Sequence, residues 1–303
     1  MHRVFALLLL LTATAHADDP VVPDQRDPNA TIGHIFHGPF SSSRLFTMPT
    51  ADVIGAYMMS LSVDGSLLQQ PGVLTSAGVL AVGFGDIAQL EYRHTSAISV
   101  TGINAPVPAA GVQLELPIPE YAWVPKLGIA VRIGVPRDEQ FGAAVIEEKV
   151  TDFYFVARER ITPWLTLHGG VRVSPSHFTL TNDPAQPDVD KSRTLVLPTG
   201  GIELAVNAQS RAIAEIAAVP QFMWMAGGEP PAITYGVLAR LGLRWKVLPS
   251  VVLDGSLGYQ LANDNVVGDG PRDVVGQWDI RLGAEVFVPW GALACRTVGA
   301  FCE

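Results

Sequence analysis

Apolar and polar side chains alternate along the chain from Ala77 onward, in segments of about ten residues. The last segment shows this most clearly, with one face formed by Trp278, Ile280, Leu282, Ala284, Val286 and Val288. The opposite face is formed by Asp279, Arg281, Gly283 and Glu285. Because successive side chains of a β-strand point to opposite faces, the segment predicts a strand with one apolar and one charged face. Repetition of this pattern favours a barrel with lipid outside and water inside.

Twelve strands account for the alternation, and the connections between them differ in length. The predicted strands cover residues 53–63, 77–84, 87–95, 109–117, 126–135, 149–159, 164–174, 194–206, 210–222, 233–247, 250–262 and 277–288. Mostly short connections interleave with longer polar ones at 64–76, 96–108, 136–148, 175–193, 223–232 and 263–276. Short turns at one end and longer loops at the other are typical of transmembrane barrels, whose termini then lie on the periplasmic side. We therefore predict an all-β fold, a closed antiparallel transmembrane β-barrel of about 12 strands with short N- and C-terminal periplasmic extensions.

The charged residues decide which face of each strand points inward. In strand 233–247, Leu241 and Leu243 alternate with Arg240, Arg244 and Lys246. A cation turned toward lipid near the bilayer midplane costs roughly 2–4 kcal/mol, so the basic face is predicted to line the lumen. In strand 194–206 the alternation slips at Gly200-Gly201, which predicts a β-bulge.

The N-terminus has the features of a secretory signal peptide. A short basic start precedes the apolar run from Val4 to Leu11, and Ala15-His16-Ala17 fits a small-x-small cleavage site. The predicted organisation is a signal peptide at 1–17, cleaved after Ala17, a periplasmic segment or plug at 18–50, a transmembrane barrel at 51–290 and a tail at 291–303.

Composition agrees with an exported membrane barrel. Mean hydropathy is +0.28 and 48% of residues are hydrophobic, yet no second long apolar run follows the signal peptide. Only 16% of residues are charged, which is low for a surface covered by water, although a soluble β-sandwich remains the alternative fold. The net charge of −9 argues against nucleic acid as a partner.

The two cysteines, Cys295 and Cys302, both lie in the tail. In an exported protein we expect them to form a disulfide, and a ring this small contributes ~2.5 kcal/mol in the chain-entropy estimate. The pair is therefore predicted to fasten the tail locally rather than to hold the barrel together. Metal binding by two isolated cysteines is the weaker alternative.

The signal peptide, the alternating strands, the rhythm of the connections and the aromatic closing strand together resemble Gram-negative outer-membrane β-barrel proteins. Met48-Pro49-Thr50-Ala51 before the first strand and Gly83-Phe84-Gly85-Asp86 at a hairpin are similar to entry motifs of several such families. The resemblance implies location in the cell outer membrane, with membrane lipid, lipopolysaccharide and the barrel assembly machinery as partners. The chain departs from the family pattern at its end, because thirteen residues follow Trp290.

All six tryptophans lie near predicted strand ends, as expected for rings that anchor at the membrane interface. Trp123, Trp164, Trp245 and Trp290 are placed on the periplasmic side, and Trp224 and Trp278 on the outer side.

Ionisable side chains on the inward face are the candidate functional residues. The candidates for the lumen or for selectivity are Arg132, Arg172, Arg240, Arg244, Lys246, Arg281, Glu91, Glu115, Asp254, Asp279 and Glu285. Arg93, Asp152 and Glu203 share that face. Acidic and basic side chains are nearly equal in number on this face, which favours cross-strand ion pairs that fill a narrow interior. The alternative is a pore in which some of these charged side chains form a constriction and select ions. The leading hypothesis is a narrow passive channel for small polar or anionic solutes, with Arg240, Arg244 and Lys246 as the anion-attracting group; the alternative is a closed structural or assembly barrel.

An outer-membrane hydrolase is the third and least favoured hypothesis for the function. The nearest pairs of a nucleophile and a base are His94 with Ser96 and Ser174 with His177. Neither pair resembles the motif of outer-membrane phospholipases, so we expect no enzyme activity and no cofactor. His34 and His37, and the aspartates of the outer loops (Asp183, Asp188, Asp190, Asp264, Asp269 and Asp273), match no metal-site spacing, and no metal is predicted.

Overall fold

The computed structural model describes most of the region predicted to form the barrel. The described residues are 43–70, 73–85, 87–99, 102–103, 107–118, 124–141, 143–184, 187–223, 232–261, 278–291 and 294. The predicted signal peptide, the histidines at 34 and 37, and both cysteines lie outside these residues.

Fourteen β-segments form one antiparallel sheet that closes on itself. They are β1 (Met58–Gln70), β2 (Val73–Phe84), β3 (Ala88–Ser99), β4 (Gly102–Ile103), β5 (Val107–Glu115), β6 (Lys126–Gly134), β7 (Arg137–Phe141), β8 (Ala144–Thr162), β9 (Leu165–Thr181), β10 (Val189–Asn207), β11 (Ser210–Met223), β12 (Ala232–Leu248), β13 (Val251–Leu261) and β14 (Trp278–Pro289). Apart from β4 and β7, each strand pairs with the next one along the chain, and β14 pairs with β1 to close the ring. The short β4 pairs only with β3, and β7 pairs only with β8. The fold is therefore a closed twelve-stranded antiparallel barrel, which confirms the prediction.

We name the two barrel ends by the strands that meet there. The terminal end is where β1 begins and β14 finishes, and the loop end is the opposite one. At the terminal end, two-residue turns at 163–164, 208–209 and 249–250 join neighbouring strands.

The barrel wall is apolar outside and polar inside, as the alternation predicts. On β12, Leu241 is 64% exposed while Arg244 is 1% exposed. On β14, Leu282 is exposed and Glu285 is buried, and β3 shows the same contrast between Leu90 and Glu91. This distribution places the charged side chains in the interior, out of reach of a surrounding apolar phase.

Several predicted strand ends are wrong. The first strand begins at Met58 rather than at 53, and the predicted loop at 64–76 lies almost entirely within β1 and β2. The predicted loops at 136–148 and 175–193 are also mostly strand. Toward the loop end, the outward face of the strands carries polar residues such as His177 and Thr194. The alternation of apolar and polar residues therefore disappears there, although the backbone pairing of β9 and β10 continues.

The bulge predicted at Gly200-Gly201 is also wrong. Thr199, Gly200 and Gly201 pair in unbroken register with Gly170, Gly169 and His168. The alternation slips in the sequence because Leu195 and Leu197 are apolar residues on the inward face, buried in a cluster with Ala218 and Ile233, whereas Ile202 and Leu204 lie on the outward face.

Four of the six tryptophans lie in the described residues, and all four lie at or near strand ends. Trp164 and Trp245 are exposed at the terminal end, where Trp290 also packs edge-on against Tyr57. Trp278 begins β14 and packs against Tyr259 at 4.8 Å between ring centroids. In the described part of the chain no helix is long and apolar enough to cross a membrane.

Candidate functional site

The segment that precedes β1 lies inside the barrel. Residues 43–50 form a tight hairpin, in which the Thr50 N–H donates to the Ser43 carbonyl oxygen (2.9 Å) and Leu45 N–H to that of Met48 (3.0 Å). A bridge between Arg44 and Pro49 joins its two arms. We call residues 43–50 the plug hairpin, and residues 51–56 lead from it to β1.

Glu215 on β11 binds the tip of the plug hairpin. Its carboxylate accepts hydrogen bonds from the backbone N–H groups of Phe46 (2.9 Å), Thr47 (3.0 Å) and Met48 (3.4 Å), and from the Thr47 hydroxyl. A turn exposes several N–H groups that have no partner within the hairpin, and one buried carboxylate satisfies three of them. The tip is thereby held against one wall of the barrel.

Arg244 on β12 binds the carbonyl oxygens of the same turn. Its Nη1 donates to the oxygen of Arg44 (2.9 Å) and its Nη2 to that of Leu45 (2.6 Å). Asp254 on the neighbouring β13 accepts a hydrogen bond from Arg244 Nε through Oδ1 (2.7 Å) and fixes the direction of the guanidinium. The plug hairpin therefore meets an acceptor for its N–H groups and a donor for its carbonyl groups on adjacent strands.

Two glutamines bind the base of the plug hairpin. Gln113 Nε2 donates to the carbonyl oxygens of Thr50 (2.9 Å) and Asp52 (2.6 Å), and Gln89 Nε2 donates to Ser43 Oγ (2.9 Å). Gln89 and Gln113 are within two residues of the strand ends at the terminal end of the barrel. Both arms of the hairpin thus lie at that end, while its tip points toward the middle of the lumen.

Asp52 joins the connecting segment to the wall through ion pairs. Its carboxylate lies 3.0 Å from Lys126 Nζ and 2.7 Å from Arg158 Nη1. Burial by itself raises the pKa of Asp52, but Arg158 and Lys126 outweigh burial and hold the pKa well below its usual range. The group is therefore a carboxylate at any physiological pH.

Three wall glycines make room for this inserted chain. A Cβ on Gly201 would lie 2.2 Å from Cδ1 of Leu45, and one on Gly128 would lie 2.9 Å from the Cα of Ala51. One on Gly83 would lie 2.5 Å from the Ile54 carbonyl oxygen. Side chains at these inward positions would occupy the space that the inserted chain fills.

Apolar contacts complete the packing around the plug hairpin. Leu45, Phe46, Met48 and Ala51 form a buried cluster with four inward residues of the wall, namely Ala130, Tyr154, Val156 and Ile213. At the terminal end Ile54 packs in a second cluster with Met58, Ala81, Val252 and Phe287. The lumen at this end is therefore filled by protein.

A cavity of about 370 Å³ lies beyond the tip of the plug hairpin. Thr47 and Met48 form part of its lining, and it reaches Ala109 and Gly134 toward the loop end of β5 and β6. Three arginines line it, Arg93, Arg132 and Arg172, together with Asp152 and Tyr154.

The loop-end parts of β11 and β12 lean inward over the lumen. Arg193 Nη1 on β10 donates to the Ile233 carbonyl oxygen on β12 at 2.7 Å, although β10 and β12 are not neighbours in the wall. Ile233 and Ala218 pack there with apolar residues of β8, β9 and β10, which include Ile146, Phe178 and Leu195. This contact narrows the mouth opposite the plug hairpin.

The sequence-predicted lumen residues lie mostly where the alternation places them. Buried or half-buried inside the barrel are Glu91, Glu115, Arg132, Arg172, Arg240, Arg244, Lys246, Asp254, Arg281 and Glu285. Asp279 lies in β14 opposite Gly258. Many form ion pairs, such as Arg172 with Asp152 (2.7 Å) and Lys126 with Glu115 (3.0 Å).

The predicted pair Ser174 and His177 is not brought together. Ser174 is fully buried inside and donates to Asp152 at 2.6 Å, whereas His177 lies on the outer face beside Ser192 (2.8 Å). A hydroxyl paired with a carboxylate and no imidazole lacks the base that a nucleophile of this kind requires. The described residues contain no group of three or more side chains that could hold a metal ion.

Sequence reasoning missed the residues that hold the plug hairpin. Glu215, Gln89 and Gln113 fall on inward faces, where a polar residue fits a watery lumen equally well. The sequence predicts a plug only as one alternative for residues 18–50, and it does not indicate which wall residues would bind it.

The chain is similar in structure to several known proteins. No family model and no curated protein matches the chain. Among solved structures the chain is similar to the NanC porin, with 8% identity, coverage of 75% of this chain and 98% of that chain, and a TM-score of 0.48. It is also similar to the KdgM porin, with 11% identity, coverage of 75% of this chain and 98% of that chain, and a TM-score of 0.46. For the translocator domain of the autotransporter NalP from Neisseria meningitidis, the identity is 11%, the coverage is 76% of this chain and 87% of that chain, and the TM-score is 0.43.

Proposed function

We propose that the protein is an outer-membrane channel for small polar or anionic solutes that is closed by its own plug hairpin. The apolar exterior and charged interior support a membrane location, because the reverse arrangement would place cations in lipid. The terminal end then faces the periplasm, with the signal peptide cleaved after Ala17. Lipopolysaccharide and the barrel assembly machinery stay predicted partners.

The observation that carries this proposal is the set of wall side chains that bind the hairpin's peptide groups. Glu215, Arg244 and Gln113 together satisfy backbone groups on both arms and the tip. Such contacts exchange for water when the hairpin leaves, so each contributes about 0.5–1.5 kcal/mol net, rising to about 3 for a charged partner. Because water can replace each of these hydrogen bonds, the hairpin can leave the lumen and return, as a channel that opens and closes requires.

The charged wall also has a role once the hairpin leaves. Arg240, Arg244 and Lys246 would then line water and attract anions, whereas in the closed state Arg244 is occupied by the hairpin. Their role in selectivity is a prediction for the open channel.

Planar-bilayer recording tests the proposal directly. The purified wild-type barrel is expected to conduct rarely, and a variant lacking residues 43–50 is expected to show steady conductance. A control variant with Asp183→Asn and Asp188→Asn, in the described connection between β9 and β10, should behave as wild type. The absence of any conductance from a folded variant without the hairpin would refute the channel and favour the closed structural barrel.

A further inference from the structure

The cavity beyond the plug hairpin is lined by both cationic and apolar side chains. Arg93, Arg132 and Arg172 project from β3, β6 and β9. Val150 from β8, Ala217 and Pro220 from β11 and Met48 from the hairpin tip supply apolar lining. A volume of about 370 Å³ lies within the range of pockets that hold small molecules.

The three guanidinium groups are only partly occupied by acceptors. Arg93 donates through Nη2 to Glu91 (3.1 Å), and its buried Nε has no hydrogen-bond partner among the described residues. Arg172 donates through Nε and Nη2 to Asp152 (2.8 and 2.7 Å). The face of Arg172 also lies over the Tyr154 ring at 5.5 Å, which holds it in place.

Arg132 connects the cavity to the plug hairpin. It donates through Nη2 to Glu91 (3.3 Å) and through Nη1 to the Thr47 carbonyl oxygen (3.3 Å). Three cations thus face two carboxylates, Glu91 and Asp152, and one positive charge remains in excess. A buried donor without an acceptor and an unbalanced charge favour an anionic ligand over a neutral one.

We propose that this cavity binds a small organic monoanion, a carboxylate with a compact apolar body. The carboxylate would accept from Arg93 and Arg132, and the apolar body would lie against Met48, Ala217 and Pro220. The inference rests on the proposed function, because the tip of the plug hairpin forms part of the lining. Small organic monoanions would then be the class of solute that the closed barrel binds.

Isothermal titration calorimetry of the purified full-length barrel with benzoate tests this site. Benzoate is expected to bind saturably, whereas benzamide, which has the same ring without the charge, is expected to bind at least about tenfold more weakly. Inorganic phosphate, which lacks the apolar body, should also bind more weakly than benzoate. Equal binding of benzamide, equal binding of phosphate, or no saturable heat with benzoate would each overturn the proposal.

Two matched variants assign the binding to the cavity. Arg93→Gln and Arg211→Gln each remove one of two basic groups beside a carboxylate, since Glu91 retains Arg132 and Glu203 retains His168. Benzoate affinity should fall about tenfold or more in the first and stay unchanged in the second. Heat-modifiable migration on gels confirms that each variant is folded, and Arg93→Lys provides a milder replacement if Arg93→Gln does not assemble. Equal affinity in all variants would place the binding elsewhere.

The result is separable from that of the channel experiment. Calorimetry measures a closed barrel and needs no conductance, so a failed channel leaves the binding curve intact. Conversely, if the variant without the hairpin conducts and the full-length barrel does not bind benzoate, only the proposed ligand is refuted.

Discussion

Replacement of Glu215 by alanine should release the tip of the plug hairpin. The substitution removes the acceptor of two well-placed backbone hydrogen bonds, from Phe46 at 2.9 Å and Thr47 at 3.0 Å, and of the weaker one from Met48 at 3.4 Å. A hydrogen bond to a charged partner contributes about 1.5–3 kcal/mol, so two of them give about 3–6 kcal/mol.

The lower limit of this range is the appropriate one. Undocked N–H groups are hydrated, and the carboxylate no longer has to be desolvated by the hairpin. A loss of about 3 kcal/mol raises the ratio of undocked to docked hairpin by about a hundredfold. Glu215→Gln keeps one carbonyl acceptor, so its effect should be nearer tenfold.

Open probability in planar bilayers measures this ratio. Glu203→Gln is the matched control, because Glu203 is an inward carboxylate that pairs with Arg211 (2.8 Å) and forms no hydrogen bond with the plug hairpin in the described residues. The expected order of open probability is Glu215→Ala, then Glu215→Gln, then wild type together with Glu203→Gln. If Glu215→Ala opened no more often than Glu203→Gln, the hairpin would not be the closure.

Three further predictions follow from the inserted chain and the tail. Gly128→Leu should displace the inserted chain, because even a Cβ there would lie 2.9 Å from the Cα of Ala51; protease cleavage within residues 43–50 should increase, with heat-modifiable migration as the check that the barrel is folded. Asp52→Asn should increase channel opening throughout pH 5–8. Since the pKa of Asp52 is depressed in the docked state, its ion pairs act above its free pKa of about 4 and weaken only as pH falls toward the depressed value. The difference in opening between Asp52→Asn and wild type should therefore be nearly constant from about pH 5 to about pH 8, and loss of that difference near pH 6 would contradict this. Cys295→Ser should leave the heat-modifiable folded band intact, because the predicted disulfide closes only a small ring, and mass spectrometry of unreduced wild type should find no free thiols.

The barrel wall could be predicted from the sequence because apolar and charged side chains alternate along its strands. Leu241 and Leu282 point outward, and Arg244 and Glu285 inward, since the opposite register would turn the charges onto the apolar outer face. The alternation ends where the apolar outer face ends. The outer parts of β9 and β10 therefore extend further than predicted, because backbone pairing needs no apolar face in water.

The binding site of the plug hairpin could not be predicted in the same way. Its partners are polar residues at inward positions, and the alternation assigns Glu215 or Gln113 to the lumen whether it meets water or a peptide group. Nothing local to the hairpin identifies Gln113, Glu215 and Arg244, which are 63 to 200 residues away from the hairpin groups they bind. Only the folded wall brings them together.

The distances along the chain between the plug hairpin and its partners also determine when it can dock. Arg244 lies 200 residues after Arg44, and Glu215 lies 169 residues after Phe46. Loop-closure entropy opposes such contacts until most of the intervening strands are paired. The hairpin is thus synthesised before every wall strand but can reach its site only after β11 and β12 are in place. Assembly therefore passes through a stage in which the lumen is still empty, so a newly assembled barrel should be leaky before it becomes tight.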